Sequence, residues 1–260
     1  SGSAVQPDGT KKPWQVHNTR KLDGIRDEID SLNLPEIDKA VALTSLILAM
    51  DEVDSTLGHF TSYLREWSSR SYKDLRLKVP LVFKNNDDNI VLKGDIFDSM
   101  DKVKVDFSYF DPPYGSNNEK MPPSRVRYAS YYHVWTTICK NDKPKLFGAA
   151  RRREDTSDKI AATVFEEFRK DSDGRFMAVK AIEKLIQEVK SKYVALSYSS
   201  GGKATASELN EILNRHGKLI NTIELDYKKN VMAEMKWTKE WIRDAEEPNR
   251  EFIFLIDKEA

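Results

Sequence analysis

Residues 103–114, Val-Lys-Val-Asp-Phe-Ser-Tyr-Phe-Asp-Pro-Pro-Tyr, decide how this chain folds. The first eight of them are typical of a buried strand. The next four, Asp111-Pro112-Pro113-Tyr114, form a turn that carries a carboxylate and ends in an aromatic ring. Because two prolines fix φ and remove backbone donors, we expect this turn to be stiff.

This turn has the groups that the exocyclic amino group of a base requires. The lone pair of that nitrogen is delocalised into the ring, so an enzyme must accept hydrogen bonds from both protons and orient the nitrogen towards a methyl donor. The Asp111 carboxylate and the Pro112 carbonyl oxygen can accept them, and Tyr114 offers a ring on which an extruded base can stack. The alternative is a plain Asp-Pro turn, although such turns seldom continue with Pro-Tyr-Gly.

Composition excludes several classes of protein. The 260 residues include 42 basic and 42 acidic side chains, so any DNA-binding face must come from local clustering. The single cysteine, Cys139, excludes an internal disulfide and a cysteine metal cage, and we expect no metal site. We expect a reducing, cytoplasmic setting, since no signal pattern and no apolar run of about 18 residues is present.

Two types of pattern divide the chain near residue 88. Residues 1–88 predict helices, with one apolar stripe from Leu22 to Leu32 and a second from Val41 to Val53. From Asn89 onwards the sequence predicts three strands, at 90–92, 103–110 and 193–198. It also predicts helices at 176–189 and 207–215, the second with a capping box of Thr205 and Glu208. This alternation predicts a parallel α/β sheet, and 220–227 with 251–257 predict an antiparallel hairpin on its edge.

Five segments, in order along the chain, resemble the DNA N6-adenine methyltransferases of the Dam-like class. They are the segment with helical periodicity from Asn18 to Leu64, then Gly94–Asp98, Asp111–Gly115, Arg127–Ile138 and Leu196–Gly202. The resemblance implies that residues 89–260 are the catalytic portion, a partial Rossmann-like class I methyltransferase sheet with an antiparallel C-terminal hairpin. It implies that the helical region 1–88 serves DNA recognition or partner binding.

The resemblance also implies roles for individual residues. Asp111, Pro112, Pro113 and Tyr114 would hold a flipped adenine. Asp95, with Asp111, would lie at the end of the cleft that takes S-adenosylmethionine. The alternative for Asp95 is a carboxylate that only caps a turn.

Basic and aromatic residues outside the loop are candidates for DNA contacts. They are Arg125, Arg127, Tyr131, Tyr132, Arg151, Arg152 and Arg153. We expect the last three to bind phosphates, since three adjacent guanidinium groups are hard to neutralise locally. The alternative for the aromatic residues is that they form the apolar face of a helix, and we prefer this alternative for Trp135. For His133, helix packing and participation in the site are equally open.

The sequence departs from the family at the cofactor site. Enzymes of this architecture bind S-adenosylmethionine on a glycine-rich turn, roughly Phe-x-Gly-x-Gly, because the backbone must approach the ligand closely. Here only Gly201 and Gly202 are adjacent, and they follow the wrong strand. Two strands that normally lie between those ending at Asp95 and Phe110 also have no counterpart upstream of Asn89. We therefore expect a companion polypeptide with the glycine-rich turn to complete the sheet as a heterodimer.

The sequence thus predicts a site-specific DNA N6-adenine methyltransferase of the restriction-modification kind, which methylates a flipped adenine without a metal. Two alternatives remain. The chain is a non-catalytic DNA-recognition subunit that keeps the loop as a base pocket, or it methylates a guanine amino group in RNA, where an Asp-Pro-Pro-Tyr loop is also used.

Overall fold

A computed structural model describes residues 3–83, 89–115, 127–157, 163–226 and 250–259. The chain folds into two compact units. The first contains Ser1–Asp87 and Tyr128–Ser157, and the second contains Asp88–Arg127 and Asp158–Ala260. The change of unit near residue 88 coincides with the change of sequence pattern, but the sequence does not predict the return to the first unit at Tyr128.

The α-helices are α1 Val16–Ser31, α2 Glu36–Asp51, α3 Ile96–Ser99, α4 Tyr128–Tyr131, α5 His133–Lys140, α6 Met177–Glu188 and α7 Ala206–His216. The strands are β1 Phe107–Phe110, β2 Leu146–Phe147, β3 Arg152–Arg153, β4 Tyr193–Ser199, β5 Lys218–Asp226 and β6 Arg250–Asp257. Short 3-10 turns lie at Ser69–Tyr72, Met100–Lys102, Glu154–Thr156 and Val164–Glu166. Among the described residues, we find no helix with the length and apolar character of a membrane span.

Trp14 is central to the core of the first unit. Its ring lies 5.5 Å from that of Phe60 and 5.6 Å from that of Trp135, between ring centroids. Its indole N–H donates to the Met50 carbonyl oxygen at 2.8 Å. Because the apolar face of α5 is buried here, the segment from Tyr128 to Ser157 belongs to the first unit with the N-terminal helices, whereas the sequence assigned it to the predicted catalytic portion 89–260.

The second unit is built on a four-stranded sheet of order β1-β4-β6-β5. β1 and β4 are parallel, whereas β6 runs antiparallel to β4 and to β5. The apolar faces of α6 and α7 pack on this sheet, and α7 begins with the predicted capping box of Thr205 and Glu208. The α/β class and the C-terminal hairpin are thereby confirmed, and the mixed sheet is consistent with a methyltransferase fold.

The strand predicted at 90–92 is wrong. Ile90 and Val91 are 80% and 94% exposed, and residues 89–93 form no strand. A strand needs a neighbour that accepts and donates its ladder hydrogen bonds, and none of the described residues supplies one there. β1 is also shorter than predicted, beginning at Phe107, and within the described residues it pairs on one side only, with β4.

Candidate active site

The four residues Asp111 to Tyr114 leave the end of β1 and turn towards β4. The Tyr114 hydroxyl donates a hydrogen bond to the Asp111 carboxylate and lies 3.1 Å from Ser197 Oγ on β4. Burial, and the hydrogen bond to Asp111, raise the pKa of Tyr114 above its usual range. The hydroxyl therefore stays protonated at neutral pH and remains a donor to the carboxylate.

A second tyrosine holds the loop through hydrogen bonds to its backbone. Tyr198 is fully buried, and its hydroxyl donates to the Tyr114 carbonyl oxygen at 3.1 Å and accepts from the Ala204 amide at 3.2 Å. The Lys203 amide donates to the same Tyr114 oxygen at 2.9 Å. A Cβ on Gly202 would lie 2.4 Å from the Tyr198 ring, so only glycine fits there. The Leu196–Gly202 segment thus positions the loop, a role for which the sequence had no specific signal.

A cavity of about 530 Å³ opens beside the loop within the second unit. Its lining brings together both predicted cofactor carboxylates with apolar walls: Gly94, Asp95, Ile96, Tyr109, Phe110, Asp111, Pro112, Pro113, Thr163, Phe165 and Leu185. Carboxylates accept hydrogen bonds from amino and hydroxyl groups, both of which S-adenosylmethionine presents, and apolar walls suit its adenine ring. These acceptors and apolar walls therefore fit that cofactor.

Asp95 has a local structural task as well as a place in this cavity. Its carboxylate accepts from the Phe97 amide at 2.9 Å and caps α3. The capping role that the sequence left open is therefore present, and contact with a cofactor stays a prediction. The described part of the chain has no group of three or more His, Cys, Asp or Glu side chains placed to hold a metal ion.

The aromatic candidates lie in the first unit. The Tyr131 ring stacks on His59, with centroids 4.8 Å apart and planes 14° apart, and Tyr132 is partly exposed. His133 is buried, and its Nε2 lies 3.2 Å from the Phe60 carbonyl oxygen. Burial lowers the pKa of His133, so the ring is neutral and packs. Trp135 packs against Phe60, in agreement with the preferred alternative.

The arginine candidates separate into different environments. Arg153 is 3% exposed and donates to Asp142 at 2.6 and 2.7 Å and to Asp155 at 2.9 Å. The two carboxylates raise the pKa of Arg153 further. The expectation that this run cannot be neutralised locally is therefore wrong for Arg153, because two nearby acids neutralise it.

Four other arginines were also candidates for DNA contacts. Arg127 is buried, with its guanidinium carbon 5.7 Å from the centroid of the Phe168 ring. Arg151 is exposed, and Arg152 is partly buried. Arg125 lies outside the described residues.

Comparison with known proteins agrees with this geometry. The family of D12 class N6 adenine-specific DNA methyltransferases matches residues 9–216. The chain belongs to this family. The match includes the Asp111–Tyr114 loop, the Asp95 cap and the Leu196–Gly202 segment. No solved structure matches the chain.

Several curated relatives are DNA modification methylases. The modification methylase StsI of Streptococcus sanguinis is 28% identical over 91% of this chain and 34% of its own length. The type II methyltransferase M.FokI of Planomicrobium okeanokoites is 26% identical over 95% of this chain and 35% of its own length. The type II methyltransferase M.NlaIII of Neisseria lactamica is 24% identical over 82% of this chain and 58% of its own length. The chain spans about a third of the length of the first two relatives.

Two cavity residues were missed by sequence reasoning. Phe165 stacks on Phe97, with centroids 5.9 Å apart and planes 18° apart, and the Thr163 side chain caps the 3-10 turn that carries Phe165. Both belong to the part of the chain that the methyltransferase family matches. Their segment has neither helical nor strand periodicity, so only the Thr-x-Phe capping pattern signals it.

Proposed function

We propose that this chain carries the catalytic loop of a site-specific DNA N6-adenine methyltransferase in a restriction-modification system. The observation that carries the proposal is the Asp111–Tyr114 loop, a stiff turn with a carboxylate at the rim of a cavity that takes a second carboxylate from Asp95. Family membership supports adenine in DNA as the substrate and speaks against the guanine of RNA.

Each residue of the loop has a separate role in binding a flipped adenine. The Asp111 carboxylate and the Pro112 carbonyl oxygen accept the two amino protons, which directs the nitrogen lone pair out of the ring plane. Positive charge develops on that nitrogen as it is alkylated, and the adjacent carboxylate stabilises it. Tyr114 stacks on the base, while Pro113 keeps the loop stiff. S-adenosylmethionine, which Asp95 and Asp111 would hold, would supply the methyl group and leave as the neutral thioether. The methylated nitrogen would then lose one proton to the Asp111 carboxylate and from there to water, which restores a neutral amine.

The hydrogen bond between Tyr114 and Asp111 does not block this arrangement. A carboxylate has about four acceptor positions, and the tyrosine hydroxyl occupies one of them. The hydroxyl fixes the orientation of the carboxylate before the base arrives, so less ordering remains to be done in the transition state.

We further propose that a companion polypeptide supplies the glycine-rich half of a Rossmann-like cofactor domain. β1 pairs on one side only within the described residues, and Phe107 and Tyr109 on it are 52% and 55% exposed. Exposed apolar side chains beside an unpaired edge favour addition of further strands. The share of the relatives' length that the chain covers is consistent with this division.

Methyl transfer from radiolabelled S-adenosylmethionine to duplex DNA tests both parts. The chain is assayed alone and with the product of a neighbouring gene that encodes the glycine-rich turn. We expect turnover only with the companion, and its loss in Asp111→Ala. A reconstituted complex that methylates DNA equally well with Asp111→Ala would identify this chain as a non-catalytic recognition subunit.

A further inference from the structure

The guanidinium group of Arg151 has a different environment from those of its two neighbours. Arg153 is held by two carboxylates, and the Arg152 guanidinium lies over the Phe147 ring, 4.5 Å from its centroid. Arg151 instead lines a cavity of about 220 Å³ within the first unit. Across the described ranges, Arg151 has no ion-pair partner.

The charge of this cavity is positive. Lys12 lines it together with Arg151, and its ammonium group also has no ion-pair partner in the part of the chain that the structure describes. The other polar residues of the wall are Gln6, Tyr63, His133 and Thr137, the apolar ones are Pro13, Trp14, Val134 and Leu146, and no Asp or Glu is among the described lining residues. Two cations in a concave site without a carboxylate favour an anion, and the volume is several times the roughly 30 Å³ share of a water.

The turn that presents Arg151 is held in place by Tyr63. The Arg151 amide donates to the Gly148 carbonyl oxygen at 3.1 Å, and the Tyr63 hydroxyl donates to the Ala150 carbonyl oxygen at 2.8 Å. Burial raises the pKa of Tyr63 to about 12, so the hydroxyl remains a donor. Arg151 has φ of 50°, in the left-handed region that a residue with a long side chain rarely adopts. Such backbone persists where surrounding contacts impose it, often at functional sites.

We propose that this cavity, the phosphate pocket of Lys12, Tyr63, Thr137 and Arg151, holds one backbone phosphate of the DNA duplex. The inference rests on the proposed function, since a DNA methyltransferase must hold duplex DNA while a base is extruded. Phosphate contacts fix the register of a protein on DNA without reading its sequence. The pocket therefore contributes to affinity for every duplex alike.

The test is the salt dependence of DNA binding by the full chain, measured by fluorescence anisotropy on two duplexes of unrelated sequence. The variants are Lys12→Met, Arg151→Asn and their combination. Methionine keeps the apolar stem of the lysine, and asparagine tolerates the left-handed backbone. Lys11→Met is the matched control, because Lys11 adjoins Lys12, bonds the Gly9 carbonyl oxygen at 3.3 Å and does not line the pocket.

We expect the double variant to bind both duplexes about 10-fold more weakly and to lower the slope of log K against log salt by about 0.9, the value for one lost phosphate. The Lys11→Met slope stays near that of the unchanged chain. Thermal denaturation is expected to show the same midpoint for all variants, which separates lost contacts from lost structure.

Three results would overturn the pocket. They are an unchanged slope in the double variant, a slope equal to that of Lys11→Met, or no binding of DNA by the unchanged chain. Displacement of DNA by inorganic phosphate far beyond that by chloride at equal ionic strength would assign the pocket to free phosphate instead.

An active methyltransferase complex with an unchanged slope in the double variant rejects the pocket alone. An inactive complex with the expected slope rejects the methyltransferase proposal alone.

Discussion

The buried hydroxyl of Tyr198 on β4 donates a hydrogen bond to the carbonyl oxygen of Tyr114 at 3.1 Å, and their rings lie 4.9 Å apart. The same hydroxyl accepts from the Ala204 amide at 3.2 Å. One side chain therefore connects the Asp111–Tyr114 loop to the start of α7. The loop is held through its backbone, so its orientation depends on the core of the second unit.

Tyr198→Phe should lower kcat of the reconstituted enzyme about 10-fold while KM for DNA changes little. Removal of the hydroxyl leaves the buried Ala204 amide without its acceptor, at about 1–3 kcal/mol, and leaves the Tyr114 carbonyl oxygen with the Lys203 amide as its remaining donor. Steady-state kinetics and urea denaturation measure the two effects. Tyr193→Phe, on the same strand but only partly buried, is the control. A variant with unchanged kcat would show that this hydrogen bond supports the fold only.

Gly202→Ala should destabilise the second unit by about 1–3 kcal/mol, because the new methyl group would overlap the Tyr198 ring at 2.4 Å. Gly24→Ala is the matched control, since nothing lies within 4 Å of a Cβ there and Gly24 is inside α1. Alanine favours a helix over glycine by about 0.5–1 kcal/mol, so this variant should be slightly more stable. Equal denaturation midpoints for both variants would contradict the close approach.

Asp111→Ala should abolish methyl transfer and leave DNA binding within a few-fold, because the carboxylate acts on one amino group and phosphate contacts supply most of the affinity.

Tyr114→Phe should keep much of the activity, since the ring face stacks on the base, whereas Tyr114→Ala should weaken both base flipping and rate. The phenylalanine variant also removes the hydrogen bond to Asp111. If Phe were as damaging as Ala, the hydroxyl and not the ring would be the essential group.

Arg153→Ala should lower the denaturation midpoint by a few degrees and leave the salt slope of DNA binding unchanged, since Arg153 is buried with its own carboxylates. Its guanidinium lowers the pKa of Asp142 and of Asp155 below the usual 3.8. Their contribution to stability is therefore present above about pH 4 and is lost as pH falls through the lowered values. The difference between the two proteins should shrink on acid titration, and a constant difference would contradict the pairing.

The sequence correctly predicted the elements whose packing partners lie in the same chain. α6, β4, α7 and β6 all bury side chains on contacts that the described residues themselves provide, and β5 pairs along its length with β6. The strand expected at Ile90 is absent, and no described strand pairs with that segment. Local patterns therefore predict an element well only where the chain also contains its packing partner.

The candidate site shows the same limit. Residue chemistry indicated Asp111 to Tyr114, and the structure places them with Asp95 at one cavity. The support from Tyr198 and the stacked pair of Phe97 and Phe165 join distant segments, which no local pattern reveals. The acids that neutralise Arg153 lie within eleven residues of it, but which of many charges pair is decided by the turn between β2 and β3.

Phe107→Lys should prevent assembly with the companion polypeptide and leave the fold of the isolated chain intact. Phe107 lies on β1, whose free edge we propose as the interface, and it is 52% exposed in the chain alone. An obligate interface of this kind buries on the order of 2,000 Å² or more, and a lysine within it would have to be desolvated without a partner.

Leu225→Lys supplies the matched control for that variant, because Leu225 is 51% exposed on β5, at the opposite edge of the same sheet. Analytical ultracentrifugation of each variant with the companion, and calorimetry with S-adenosylmethionine, measure the outcome. We expect the unchanged chain and Leu225→Lys to form the heterodimer and gain cofactor binding, and Phe107→Lys to do neither. Micromolar cofactor binding and robust turnover by the isolated chain would show that the cofactor site is complete without a companion.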